Sequence, residues 1–251
     1  MILSRITTAI RTQNWFAVVL EFIIVIAGVV IGFQVSAWAQ ARADAEREAL
    51  MLSRLHGEAE TNVLYFSREV VLRREADERR DGLIQRMLAS DFGNIAPREL
   101  IDGIFTAGNL LEPTPSRVVY DEIVSAGLTS RIGDEAMRTA LAQYWSELDS
   151  LRTYNERRRE EAYVFPRAVA AQDEFVRIEY DPEHGLRRRY SIDPEQAAQS
   201  QDFMDFVLFS NTRSRMVTLR WSEALNRAIV LCHETARLTE RSCEAAAEID
   251  P

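Results

Sequence analysis

Glu21 is an acid set inside an otherwise apolar run, Trp15-Phe-Ala-Val-Val-Leu-Glu-Phe-Ile-Ile-Val-Ile-Ala-Gly-Val-Val-Ile-Gly-Phe-Gln-Val-Ser-Ala-Trp38. A carboxylate at the centre of a bilayer costs a few kcal/mol, and such a residue marks a functional position by default. Glu21 lies about 9 Å along a helix axis from Trp15, close enough to reach headgroup water, stay protonated or meet a partner. A proton relay needs further titrating groups along its path, and the run supplies none. Anchoring or pairing with a partner is the reading that follows. Gly28 and Gly32 form G-x-x-x-G, and Ser36 extends it. At 100° per residue, Asn14, Ala17, Glu21, Gly28, Gly32 and Ser36 fall within roughly a quadrant of a helix. Small residues let two backbones approach, and a polar stripe seeks a partner in lipid. Ala17, Glu21, Gly28, Gly32 and Ser36 are therefore the predicted helix-packing face.

The remaining chemistry-bearing residues form no motif. His56, His184 and His233 are scattered, without a metal-ligand spacing such as H-E-x-x-H. His184 beside Asp181 and Glu183 reads as a solvated turn. There is no G-x-S-x-G, no phosphate loop and no nucleophile context for a Cys/His pair. Catalytic residues, metal ligands and cofactor are accordingly each assigned as none. Cys232 and Cys243 fall in a stretch that reads as one helix. Eleven residues of helix rise about 16 Å, whereas a disulfide needs α-carbons within about 7 Å. On that reading the two do not bridge: Cys232 is a small core residue and Cys243 lies near an exposed end.

These residues must be positioned by a long apolar helix. A bilayer core needs about 20 mainly apolar residues, which residues 15–38 supply, and Trp15 and Trp38 stand where ring systems favour the headgroup level. Ala37, Ala39, Ala41 and Ala43 offer A-x-A patterns, but the run exceeds the apolar region of a cleaved signal, about 7–15 residues. It is also apolar on nearly every face, unlike a core helix. The expectation is an uncleaved single-pass anchor. Arg5 and Arg11 precede it, placed with Trp15 and Trp38 as membrane-interface residues. Arg42, Arg47 and Arg54 follow it among acids. The first flank often dominates orientation, so the N-terminus is assigned to the cytoplasmic side and the main domain to the far side of the membrane. Residues 1–14, with Ile2, Leu3, Ile6 and Ile10 at helical spacing, form an interfacial segment or a frayed end.

Residues 39–251 are enough for one compact helical domain or two small ones. The formal net charge is −9, which argues against nucleic acid as a partner. All 30 basic residues other than histidine are Arg, scattered among acids, and base composition explains them. Leu52, Leu55, Ala59, Val63, Phe66 and Val70 mark one buried face of a helix continuing from the span. Arg73 to Asp81 reads as a solvated mixed-sign block, Leu83, Ile84, Met87 and Leu88 restore an apolar side, and Asp91–Asn94 breaks the helix. Pro97–Thr106 predicts a short helix. Pro113-Thr-Pro-Ser116 ends in an N-cap serine before a helix with Val118, Val119, Ile123 and Val124, stopped by Gly127. Asp134 caps a long helix striped by Met137, Leu141, Tyr144, Trp145, Leu148 and Leu151. Turn chemistry between 175–180 and 186–192 allows a small β-hairpin. Asp193-Pro194 opens a helix bearing Phe203, Phe206, Val207 and Phe209. Asn211 starts a final one with Met216, Leu219, Trp221, Leu225, Ile229 and Cys232. The fold class is mainly α: one transmembrane helix continuing into an extramembrane helical bundle, with that hairpin.

Three pieces together resemble a family of uncharacterised bacterial single-span membrane proteins. They are the span 15–38, Val119-Tyr-Asp-Glu-Ile-Val-Ser-Ala-Gly127 and Leu141-Ala-Gln-Tyr-Trp145. Trp38 is followed by Ala-Gln-Ala rather than the Asn-Glu more usual there. The resemblance implies an N-terminal anchor and a helical domain and transfers no activity. The functional expectation is a membrane-anchored interaction module in contact with lipid, within a homo-oligomer or joined to another membrane protein of the envelope. The alternative is an extracytoplasmic small-molecule sensor that signals through a partner.

Overall fold

A computed structural model describes residues 15–91, 112–164, 174–175, 177–180, 188–191 and 193–249. The predicted helix at Pro97–Thr106, the interfacial segment 1–14 and the turn at 181–185 lie outside the described residues. Among the described residues, six helices and two strands with stated bounds follow in order: α1 (Trp15–Leu88), α2 (Val118–Ser125), α3 (Glu135–Val164), β1 (Arg177–Tyr180), β2 (Arg188–Ser191), α4 (Pro194–Gln199), α5 (Gln201–Thr239) and α6 (Glu244–Ala247). The protein is mainly helical, with a long apolar N-terminal helix. Two compact units are distinguished, Met1–Met51 and Leu52–Pro251.

In the first unit, α1 contains a stretch of mean hydropathy 2.6 over an 18-residue window, none of it buried. Phe16, Phe22, Ile24, Val29, Ile31, Phe33 and Trp38 are all more than half exposed. A core helix would hide such side chains, so that reading is set aside. A single apolar helix of this length fits a single-pass membrane anchor.

In the second unit, Leu52, Leu55, Ala59, Val63, Phe66 and Val70 are buried along one side of α1, as their 3-4 spacing predicts. The α3 stripe Met137, Leu141, Tyr144, Trp145, Leu148 and Leu151 is buried as well. α3 packs on α5, whose inner face contributes Val217, Trp221, Ala224, Leu225, Ala228 and Leu231. Phe66 joins the elements: its ring stands edge-on to Tyr144 at 6.4 Å and tilted to Trp221 at 5.6 Å. A second cluster gathers Leu83, Ile84 and Met87 of α1 with Ala197, Phe203, Met204 and Val207. β1 and β2 pair antiparallel, Arg177 opposite Ser191 and Tyr180 opposite Arg188.

Local chemistry sets most boundaries. Asp134 accepts the Met137 N–H at 3.0 Å, capping α3. Asp193 accepts the N–H groups of Glu195 and Gln196, with Pro194 in the first turn of α4. Gly127 stops α2 at φ +66°, and Gly133 turns the chain into α3 at φ +59°.

Both ends of α5 and part of its apolar stripe depart from the sequence reading. α5 runs unbroken through Asn211 and begins instead at Gln201, after Ser200, whose hydroxyl accepts the Phe203 N–H as a cap. Asn211 does not compete with its own backbone, because its side chain donates to Asp81 at 2.8 Å. Met216 and Leu219, expected in the apolar stripe, face outward, 42% and 51% exposed. Finally, α5 stops at Thr239, where Glu240 turns left-handed at φ 54°.

Candidate functional site

The predicted packing face lies on the first unit. Glu21, Gly28, Gly32 and Ser36 are all exposed there, and a β-carbon placed on either glycine meets no atom within 4 Å. Among the described residues, nothing beyond the helix itself fills the space at those glycines. The Ala17 side chain, Arg5 and Arg11 lie outside what is described. Trp15 and Trp38 are 63% and 65% exposed, and the Arg42 guanidinium stands 5.8 Å from the Trp38 ring centre. That pairing of ring and cation one turn apart suits a membrane–water boundary.

In the second unit, the motif residues of α2 and α3 come together on α1. Tyr120 stacks on Trp145 at 4.0 Å with planes 28° apart, and Arg117 lies 5.0 Å from the Trp145 ring. The start of α2 is held by α1 side chains one turn apart. Glu58, 7% exposed, accepts the Val119 N–H at 2.7 Å, the Tyr120 N–H at 3.2 Å and the Ser116 hydroxyl at 3.2 Å. Asn62 exchanges two bonds with the Ser116 backbone, at 2.8 and 2.9 Å. Arg54 pairs with Glu122 at 2.7 Å, which holds its guanidinium above the usual range. The expected N-cap serine is thus corrected: Arg117 occupies the cap position, and Glu58 supplies the acceptors from another helix. Ser116 stands one residue before that position, and its hydroxyl donates to the same carboxylate.

Below this seat, burial pushes the Tyr144 phenol far up, and the nearby Glu58 carboxylate adds to the rise. Its hydroxyl is buried and finds no hydrogen-bond partner among the described residues. A phenol so placed stays neutral and serves packing rather than proton transfer.

The mixed-sign block of α1 is solvated on one side only, where Arg74, Glu75, Glu78 and Arg79 are exposed. Asp77 and Arg80 are 5% and 1% exposed. Asp77 accepts Arg80 Nη1 at 2.8 Å, the Ser214 hydroxyl at 2.7 Å and the Thr218 hydroxyl at 2.7 Å. Asp81 accepts Asn211 and pairs with Arg215 at 3.0 Å. Burial lowers the Arg80 guanidinium, against the pull of Asp77. The Arg73 guanidinium lies 4.2 Å from the Trp221 ring centre, and burial lowers it too. The sequence signal was the polar spacing of the Asn211 amide and the Ser214 and Thr218 hydroxyls on α5, which supply partners to acids on α1.

The cysteine reading is also corrected. Cys232 and Cys243 form a disulfide, with α-carbons 5.8 Å apart. The helix assumed to separate them ends at Thr239, and the chain turns back before Cys243, which is 5% exposed rather than open to solvent. Beside it, His56 is 2% exposed, with Nδ1 3.2 Å from the Thr235 hydroxyl and Nε2 3.8 Å from Glu60. The Thr235 proton is directed at backbone carbonyls of Leu231 and Cys232, so His56 Nδ1–H is the donor in that pair.

Among the described residues, no group of three or more His, Cys, Asp or Glu could hold a metal ion. His184 lies outside them, and His233 is exposed. A cleft of about 680 Å³ is lined by Met87, Leu88, Ser90, Glu195, Gln199 and Met204 among others, with no convergent charge cluster. No family model, curated protein or solved structure matches this chain.

Proposed function

We propose that the chain is a membrane-anchored helical interaction module, for which no catalytic activity is inferred. Residues 15–38 cross a bacterial inner membrane once, the N-terminus faces the cytoplasm, and residues 39–251 form a periplasmic helical bundle. The module works within a homo-oligomer or an envelope complex. The observation that carries the reading is the wholly unburied apolar surface of α1 from Trp15 to Trp38. Exposed apolar area costs roughly 25 cal/mol per Å² in water, so lipid or a partner must cover it. Outward placement of the domain is supported by the Cys232–Cys243 disulfide, because such bonds persist in oxidising compartments. An interaction role is supported by the unfilled Gly28/Gly32 face beside Glu21. The likeness of residues 119–127 and 141–145 to uncharacterised single-span proteins belongs to the same reading. The Tyr120–Trp145 stack brings those two segments together.

The test is purification from membranes in mild detergent after carbonate washing, with cross-linking and identification of the chains recovered. The expected result is an intact, membrane-retained chain within an assembly larger than one copy. A phosphatase fused after Pro251 should be active, and a fluorescent reporter that matures only in the cytosol should be dark. A soluble chain beginning near Gln40 or Arg42 removes the anchor. The reverse reporter pattern inverts the topology, and a solitary monomer removes the interaction role.

A further inference from the structure

We infer that the Cys232–Cys243 bond is a redox-operated clasp for the C-terminal segment 240–249, and not a staple of the whole helical domain. The bond sits where α5 gives way to α6. Cys232 is on the buried face of α5, Cys243 immediately precedes α6, and Glu240, Arg241 and Ser242 between them are exposed. α6 spans four residues, far below the length at which a helix holds itself together in water. Its seat is small: Ala245 and Ala246 are buried, and the Glu244 N–H donates to Glu60 Oε1 at 3.1 Å. The other Glu60 oxygen faces His56 Nε2 at 3.8 Å, and His56 is tied to Thr235 one turn beyond Cys232. The disulfide, Glu60 and His56 thus converge on one short segment.

The rest of the unit does not depend on that segment. The Phe66–Tyr144–Trp221 ring cluster, the Asp77–Ser214–Thr218 network and the Phe203 cluster are built from α1, α3, α4 and α5. Opening the clasp leaves each of them intact. Closing one loop of this size removes chain entropy worth roughly a hundredfold in an equilibrium constant, enough to decide whether a four-residue helix stays docked.

The reagent that works the clasp is a dithiol. One of its thiolates attacks a sulfur of the Cys232–Cys243 bond, which breaks as a mixed disulfide forms. Its second thiol then displaces the bound sulfur. Two electrons pass from the dithiol to the cysteines, which leave as two protonated thiols, and the dithiol becomes a disulfide. The reverse exchange with an oxidised dithiol closes the clasp. Cys232 and Cys243 are 0% and 5% exposed, so attack waits on local fraying of α6. Opening bares Glu60 and the edge of His56 on α1. None of this depends on which side of a membrane the domain occupies.

Amide hydrogen exchange read by mass spectrometry tests the clasp on the full chain in detergent, oxidised and after treatment with dithiothreitol. A C232S/C243S variant supplies the open state independently. Residues 243–249 should lose roughly a hundredfold in protection, while peptides from residues 137–151 and 217–231 stay within about twofold of the oxidised protein, as local opening requires. Restoring the bond with an oxidised dithiol should restore protection. The inference is overturned if residues 243–249 stay protected after reduction confirmed by mass. It is equally overturned if the core peptides lose protection together with them, or if the dithiol cannot reduce the bond without denaturant.

Discussion

Glu58 on α1 caps α2 across the fold, its carboxylate accepting the Val119 N–H at 2.7 Å. A helix start leaves N–H groups without intrahelical partners, and here one buried acid satisfies two of them together with the Ser116 hydroxyl. Removing the carboxylate strands all three donors, one of them buried and two half-buried. Glu58→Ala should destabilise the domain by about 2–3 kcal/mol, the cost of a lost cap plus an unsatisfied buried donor. Glu58→Gln keeps one acceptor oxygen and should cost less. Thermal unfolding of the full chain in detergent measures the order. The Tyr120–Trp145 stack should loosen with it, seen as a weaker aromatic circular dichroism signal. Equal stability of Glu58→Ala and the parent contradicts the capping role.

Asp77 is a stronger case, because its loss leaves a cation behind. Arg80 is 1% exposed and spends a short bond on Asp77. Breaking one side of a buried ion pair typically costs 3–5 kcal/mol, so Asp77→Ala should be among the most damaging substitutions, at about that size. Replacing both, Asp77→Leu with Arg80→Met, should cost clearly less than the two single changes added together. A double-mutant cycle by denaturant unfolding reads that difference, and strict additivity contradicts the coupling.

The sequence made legible those features that rest on one residue's neighbours along the chain. The 3-4 spacing of Leu52 to Val70 and of Met137 to Leu151 named the buried faces, and Asp134, Asp193 and Gly127 marked helix ends. It did not reveal partners supplied from distant positions. Arg73 to Asp81 mixes signs like a solvated surface, and only Ser214, Thr218 and Asn211, 130 or more residues away, draw Asp77 and Asp81 inward. Ser116 looked like a cap because Glu58, 58 positions earlier, is invisible to local pattern. The cysteines were separated by an assumed helix, and the left-handed turn at Glu240 carries no Gly or Asn to announce it. For the packing face on the span, the pattern of Glu21, Gly28 and Gly32 was legible along the chain, and no other described residue fills it.

Two carboxylates make opposite contributions as pH changes. Asp134 is held below its usual value, first by the Met137 N–H and then by Arg237. Its stabilisation is present above the unfolded value and is lost as pH falls through the folded one. Glu147 is raised, first by burial and then by the charge of Glu223. Its folded form holds the proton more tightly than the unfolded chain, so its carboxylate opposes folding above that raised value. Glu147→Gln should therefore raise Tm at pH 7 and lose that advantage as pH falls toward the ordinary carboxylate range. Asp134→Asn should lower Tm at pH 7 and converge on the parent below about pH 4. Tm measured across pH separates the two, and parallel curves for parent and variants contradict both assignments.

The span gives the prediction nearest to function. Gly28 and Gly32 leave open space where a β-carbon would stand, and Glu21 shares their side of the helix. In lipid, association rests on close backbone contact and interhelical hydrogen bonds. Replacing both glycines by Ile places two β-branched side chains where the backbones would meet and should weaken association. Ile at positions on the opposite face should not. Glu21→Gln should keep association if the side chain acts as a neutral hydrogen-bonding partner, since Gln offers a donor and an acceptor but cannot exchange a proton in that range. If it associates and yet abolishes the protein's activity in cells, a titrating carboxylate is needed. An in-membrane association assay on the isolated span reads the first part, and complementation with the full chain reads the second. If the glycine variant associates as well as the parent while opposite-face Ile disrupts it, the face is wrongly assigned. If no version associates, the span is a tether alone and partners must meet the outer helices.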